Sequence, residues 1–213
     1  MAKSKSPLYG IEASGALGDT MVYAKWRGVQ YVRRHVVPAN PRTAEQMLTR
    51  DAFRFLNQLW AQAPALFREP WAAYSRGKPL TDRNAFIKFN IPVLRERTDL
   101  AGLIGSPGVG GGFPLVNLVA TGGTGSITAS ATVPALPSGW ATDYVVFVAV
   151  RDQDPHEDLI APPVVQSATT SPYSVTFSGL ASGTYRVLAW ARYTKPDGDK
   201  AFSVSLIASA TVS

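Results

Sequence analysis

Apolar positions recur with one set of spacings up to about residue 100 and with another beyond it. In "GDTMVYAKWRGVQYVRRHVV" two alternating runs, residues 19–25 and 29–37, flank Trp26-Arg27-Gly28, the pattern of a β-hairpin turned at Gly28. One face takes Met21 and Tyr23, the other Val22 and Ala24. Upstream, Gly10, Gly15 and Gly18 mark a loop or short strand. Pro38 and Pro41 stop both strand and helix, so the chain must bend there. Thr43 stands three residues before Gln46, the capping-box spacing in which the hydroxyl takes the Gln46 N–H and the glutamine reaches back. Helical spacing follows over 43–62, burying Met47, Phe53, Leu56, Leu59 and Trp60 and exposing Arg50, Arg54, Asn57 and Gln58. Pro64 ends that helix. A second, over 65–74, carries Leu66, Phe67, Trp71 and Tyr74, and a third begins near Thr81 and turns Phe86, Ile87, Phe89 and Ile91 inward before Pro92.

After "AGLIGSPGVGGGFP", residues 101–114, the period becomes two. That glycine- and proline-rich stretch predicts a linker; it has no Lys-Ser/Thr, no long strand before it and no helix after it, so it is not a phosphate-cradling loop. Strands are expected over 115–121, 126–133, 144–151, 163–168, 173–178, 184–193 and 201–212, enough for a β-sandwich. The predicted class is α+β: an N-terminal β-hairpin plus short helical bundle in residues 1–100, the linker 101–114, and an all-β immunoglobulin-like sandwich in 115–213. Within it, "PYSVTFSGLASGTYRVLAWARY" resembles the corner between strands E and F of fibronectin type III and related immunoglobulin-like modules. The resemblance implies that Leu180 plugs the sandwich end and Tyr185 enters strand F; it implies architecture and no activity.

Charge sharpens the contrast between the halves. Residues 1–100 carry 16 Lys+Arg against 8 Asp+Glu, a net +8, while residues 101–213 carry 5 against 7, a net −2. Arg27, Arg33, Arg34, Arg42, Arg50 and Arg54 gather around the hairpin, elbow and first helix. Guanidinium groups without many lysines suit a protein interface, where their planar fork makes bidentate and stacked contacts, so these six are candidate interface residues. Nucleic acid is the weaker reading of the same basic surface.

Candidate chemistry is sparse. The chain has no cysteine, which removes disulfides, thiolate metal sites and cysteine nucleophiles. Neither His35 nor His156 belongs to a spaced ligand pair or a hydrolase triad. His156 lies in "RDQDPHEDL" among Asp152, Asp154, Glu157 and Asp158, an oxygen-rich stretch that a Ca²⁺ loop would use but that lacks the EF-hand glycine and terminal glutamate; it reads as a solvated acidic turn. No pair of carboxylates is marked out for glycoside hydrolysis. The expectation is no enzyme, no cofactor and no metal. Lys3 and Lys5 are followed by no apolar leader, and no run is long enough to span a membrane, so the expected place is the cytoplasm unless the chain leaves in an assembly.

The front half has one further likeness. "SGALGDTMVYAKWRGVQYVRRHVVPANPRTAEQMLTRDAFRF", "FREPW" and "RNAFIKFN" resemble a family of tailed-bacteriophage and prophage virion structural proteins of undefined role, over roughly residues 7–92. Asn40, Pro41, Thr43, Gln46 and Arg50 match its Asn-Pro-x-Thr-x-x-Gln-x-x-x-Arg elbow, and Arg83, Asn84, Phe86 and Asn90 match a later Asn-x-Phe-x-x-x-Asn element. The resemblance implies a structural corner at Asn40, Pro41, Thr43 and Gln46, other virion proteins as partners, and a virion location after synthesis in the host bacterial cytoplasm. The alternatives held open are a nucleic-acid-binding module using the arginine-rich half, and carbohydrate or host-surface adhesion through Trp140, Tyr144 or Trp190 on the sandwich.

Overall fold

The computed structural model describes residues 14–213, so the expected basic leader over residues 1 to about 8, and Gly10, lie outside the described residues. The chain divides into two compact units between Arg42 and Thr43. The first holds a three-stranded antiparallel sheet of β1 (Gly15–Leu17), β2 (Met21–Trp26) and β3 (Val29–Arg34) in that order. The expected hairpin thus gains a short third strand.

The second unit opens with α1 (Ala44–Gln62), α2 (Ala65–Ser75) and α3 (Asp82–Leu94). Thr43 caps α1, its hydroxyl accepting the Gln46 N–H at 3.4 Å, and Thr81 caps α3 by accepting the Asn84 N–H at 3.2 Å. Two expectations need correction. Phe53 is exposed and Phe55 is buried in its place, because the inward stripe of α1 runs Ala52, Phe55, Leu56, Leu59, Trp60. α3 also continues through Pro92 to Leu94 rather than stopping before it.

The strands that follow are β4 (Pro107–Val109), β5 (Asn117–Gly123), β6 (Ser126–Thr132), β7 (Ala141–Arg151), β8 (Val164–Ala168), β9 (Tyr173–Ser178), β10 (Gly183–Thr194), β11 (Lys200–Val204) and β12 (Leu206–Val212). The expected last strand, 201–212, is two strands broken at Ser205: β11 pairs with residues 192–194 of β10, and β12 pairs with 183–189. One sheet runs β5-β6-β9; the other runs β4-β11-β10-β7-β8, with β12 also on β10.

The central strands β7 and β10 of the larger sheet are covered on both faces. Val145, Phe147 and Ala149 of β7, with Val187, Ala189 and Tyr193 of β10, pack on Ile127, Ala129 and Phe177 of the smaller sheet. The alternate residues Val146, Val148, Val150, Leu188 and Trp190 pack on Phe55, Leu59, Trp60, Phe67, Trp71 and Phe86 of the helices. Phe67 meets Trp190 edge-on at 5.9 Å between ring centroids. The result is three layers, helices on sheet on sheet, built around two apolar cores.

This arrangement overturns the boundary expected at residues 101–114. That stretch is no free linker: Leu103 and Ser106 are buried, and β4 joins the large sheet through β11. Asn90, fully buried on α3, donates to the Ile104 carbonyl at 3.2 Å and accepts the Ile104 N–H at 2.7 Å. Trp71 Nε1 donates to the Gly105 carbonyl at 2.8 Å. Glycine here permits close approach to aromatic rings, since a Cβ at Gly105 would stand 2.7 Å from the Trp190 ring.

Candidate protein-interaction surface

The N-terminal sheet is shaped by its turns. Trp26 pairs with Val29, leaving Arg27 and Gly28 as a two-residue loop with φ +48° and +81°, the positive values a type I′ turn requires at both positions. The Arg27 guanidinium stacks on the Trp26 ring at 4.9 Å. Register then sorts the side chains. Met21 and Tyr23 share one face with Lys25, Val32 and Arg34; Val22, Ala24 and Trp26 share the other with Val29, Tyr31 and Arg33. The second face is apolar apart from Arg33.

Among the described residues, both faces carry exposed apolar side chains. Trp26 and Val29 are each 66% exposed and Tyr31 41%, while Leu17, Met21 and Val32 on the opposite face are also exposed, as are Val36 and Val37 just beyond β3. Three short strands cannot bury this much apolar surface by themselves. Residues 14–42 add Lys25, Arg27, Arg33, Arg34 and Arg42 against Asp19 alone. The arrangement can hold an apolar, acidic surface.

Only half of the six candidate arginines belong together. Arg33 and Arg34 lie on β3 and Arg27 in the turn that leads into it. Arg42 sits at the elbow with φ +47°, a conformation rare outside glycine. Arg50 is exposed on α1 beside Glu45, Gln46 and Thr49. Arg54 is engaged within its own unit, its Nε 3.1 Å from Asp158 Oδ1 and its Nη2 donating to the His156 carbonyl at 3.2 Å. Of the corner residues, Thr43 and Gln46 form the cap and Asn40 and Pro41 lie exposed in irregular chain before it.

Three carboxylates of the acidic turn are engaged by different partners. Asp152 Oδ2 accepts from Arg186 Nε at 2.8 Å while its Oδ1 accepts the Leu100 N–H at 2.9 Å. Asp154 Oδ1 lies 2.7 Å from His156 Nδ1, and His156 Nε2 is 3.0 Å from the Arg95 carbonyl. Gln58 of α1 donates to Asp158 and accepts the Leu159 N–H, both at 2.8 Å. The carboxylates therefore diverge onto separate partners, and no group of three ligands converges among the described residues.

A second polar cluster, unforeseen from sequence, joins α2 to the large sheet. Arg192 Nη1 donates to Glu69 Oε1 at 2.5 Å and to the Tyr144 hydroxyl at 2.8 Å, and the Tyr144 hydroxyl in turn donates to Glu69 Oε2. Burial, followed by the bond to Glu69, pushes Tyr144 up to about 12. Asp143 pairs with Lys200 and Arg192, each at 3.0 Å. Burial alone would raise the Asp143 carboxyl; the Thr194 hydroxyl and Lys200 ammonium outweigh it and hold it below its ordinary value. This cluster floors an open groove of about 600 Å³ lined also by Leu66 and Arg68. Because Glu69 and Arg192 already satisfy each other, it ties layers together. The carbohydrate-stacking expectation fails at Trp190, which is fully buried; Trp140 packs against Phe113 and Tyr193, and Tyr144 is held by Glu69.

Strands β5-β6-β9 facing β8-β7-β10-β12 across one core, with the Tyr185 hydroxyl donating to the Ala181 carbonyl at 3.0 Å, define an α+β protein whose β half is a fibronectin type III-like sandwich with a tyrosine corner. No known family profile and no curated protein matches the chain. Among solved structures it is similar to the fibronectin(III)-like modules of Clostridium thermocellum CbhA, at 26% identity over 46% of this chain and 92% of that one, with a TM-score of 0.28. It is also similar to a structure described as a myokine, at 12% identity over 48% and 99% of the two chains and a TM-score of 0.33. A family 76 glycoside hydrolase from a bovine Bacteroides thetaiotaomicron strain matches at 16% identity over 46% of this chain and 20% of its own, with a TM-score of 0.31. Scores this low leave the fold assignment resting on strand order and the Tyr185 corner.

Proposed function

We propose that this chain is a structural subunit of a bacteriophage virion, in capsid decoration or in head–tail or tail assembly, with the N-terminal sheet docking on neighbouring virion proteins and the sandwich exposed. The observation that carries the docking role is the basic three-stranded sheet with large apolar side chains exposed on both faces. The virion setting rests on the sequence resemblance over residues 7–92, and the capped Thr43 helix start and the buried Asn90 give that resemblance's two motifs physical work to do. Mass spectrometry of purified particles from the lysogen or phage that encodes the chain is the test: the chain is expected at stoichiometric copy number, and its absence ends the proposal. A nucleic-acid reading draws on Trp26 and Tyr31 exposed beside arginines; binding to single-stranded DNA that weakens steeply with salt would favour it.

A further inference from the structure

We propose that the Asp154–Pro155 peptide bond is a self-cleaving site, at which the Asp154 side chain cuts the backbone on its own C-terminal side; the inference stands apart from the virion reading. Asp154–Pro155 is the one Asp–Pro bond in the sequence. An aspartate can attack its own carbonyl carbon through a five-membered ring, and proline is the favoured leaving group because its tertiary amide nitrogen is readily protonated. Asp-Pro steps also open ordinary turns. What sets this one apart is a group of contacts on the reacting atoms.

The turn holds each participant. The Asp154 carbonyl, which is the group attacked, accepts the Glu157 N–H at 3.1 Å, a donor placed to stabilise the negative charge that develops on its oxygen. Asp154 Oδ1 accepts the His156 N–H at 2.9 Å and lies 2.7 Å from His156 Nδ1. Both contacts fall on Oδ1, which leaves Oδ2 as the attacking oxygen. His156 Nε2 faces the Arg95 carbonyl at 3.0 Å, an acceptor, so that nitrogen carries an N–H. A bare Nδ1 and a carboxylate oxygen would repel across 2.7 Å, so this contact holds a proton of its own, beside the residue whose nitrogen must leave. Pro155 is buried and the His156 side chain is only 15% exposed, against 35% for Asp154. The ring is thus packed in place while water still reaches the carboxyl.

In the reaction Oδ2 attacks the Asp154 carbonyl carbon and the C–N bond to Pro155 breaks. The proline nitrogen leaves as a secondary amine, taking the proton from the His156–Asp154 contact. The cyclic anhydride left on residue 154 adds one water and opens to a free α-carboxyl and the original side-chain carboxyl. The net change is hydrolysis of one peptide bond. β7 belongs to the piece ending at Asp154 and pairs with β8 and β10 of the piece beginning at Pro155. The cut therefore frees two chain ends in the β7–β8 connection, leaves the sheet pairing in place and shows only under denaturing conditions.

The test incubates freshly purified full chain near neutral pH with protease inhibitors and samples it by denaturing mass spectrometry. Fragments 1–154 and 155–213 should accumulate, and in hydroxylamine the first should end in the hydroxamate that traps the anhydride. The folded turn supplies the rate, so the same chain in urea should be cut roughly a hundredfold more slowly. His156→Gln should slow the native reaction by roughly a hundredfold, and Asp154→Asn should abolish it, with cooperative melting of each variant showing that it is folded. Where a variant fails to fold, the comparison of native and urea-unfolded wild type decides alone. The inference is overturned if the native chain stays whole, if it is cut no faster than the unfolded one, or if hydroxylamine leaves a plain carboxyl at residue 154. Each of these leaves the virion reading to its own test, the composition of the particle.

Discussion

The Tyr185 hydroxyl spans the corner between β9 and β10 by donating to Ala181, from a ring that is almost wholly buried. Tyr185→Phe keeps the ring and leaves that carbonyl without its donor, so chemical denaturation should show a loss of about 1 kcal/mol with an unchanged m-value. Asp143 makes a pH-dependent contribution. Its folded-state pKa lies below the ordinary 3.8, so the stabilisation is complete above that value and is lost as pH falls through the folded pKa. Wild type and Asp143→Asn should therefore differ most near neutrality and converge below pH 3.8, which urea titrations across the acid range would read. Tyr185 was legible because a Gly-Thr-Tyr step before an alternating run announces it. The Glu69–Tyr144–Arg192 cluster was not, since its members stand 48 to 123 residues apart and nothing local marks them as neighbours.

Among the elements, α1 is bound to the β7–β8 connection through one side chain that works twice. Gln58 both donates to Asp158 and accepts from Leu159, while Arg54 adds an exposed ion pair to the same carboxylate. A neutral bond to backbone that excludes water outweighs a solvated ion pair held by two long side chains. Gln58→Ala should accordingly cost about 1 kcal/mol and speed amide exchange at Leu159, whereas Arg54→Ala should stay within about 0.5 kcal/mol in the same denaturation assay. The helix itself was readable from its capping spacing and periodicity, with Phe53 and Phe55 exchanged. That exchange arises because Phe53, Leu56 and Trp60 also satisfy helical spacing, and only the position of the sheet beneath α1 decides which flank of the stripe faces inward.

At the largest scale, the decisive feature is that the central strands β7 and β10 of the large sheet are covered on both faces. Fragment 43–213 keeps both cores and should unfold in one cooperative transition. Fragment 115–213 would expose Val146, Val148, Val150, Leu188 and Trp190, and should aggregate or bind an apolar dye strongly. Calorimetry and light scattering on the two fragments check this; a monomeric, cooperatively melting 115–213 would contradict it. A signal for the covered sheet was present in "YVVFVAV", a continuous apolar run where a half-exposed strand would alternate, and in "VLAW" of β10. Composition pointed the other way, because glycine and proline over 101–114 read as a linker although they serve close packing against Trp71 and Trp190.

By itself the sequence determined what depends on neighbours along the chain: the hairpin turn at Gly28, the Thr43 cap, most strands of the sandwich and the basic excess of the front half. These follow from backbone preference, spacing and charge, all of which act within a few residues. Tertiary structure alone decided that the helices lie on the sandwich and that Arg54 and the acidic turn face each other. Those outcomes depend on which surfaces meet across a hundred residues, where burial of large side chains outweighs any local preference.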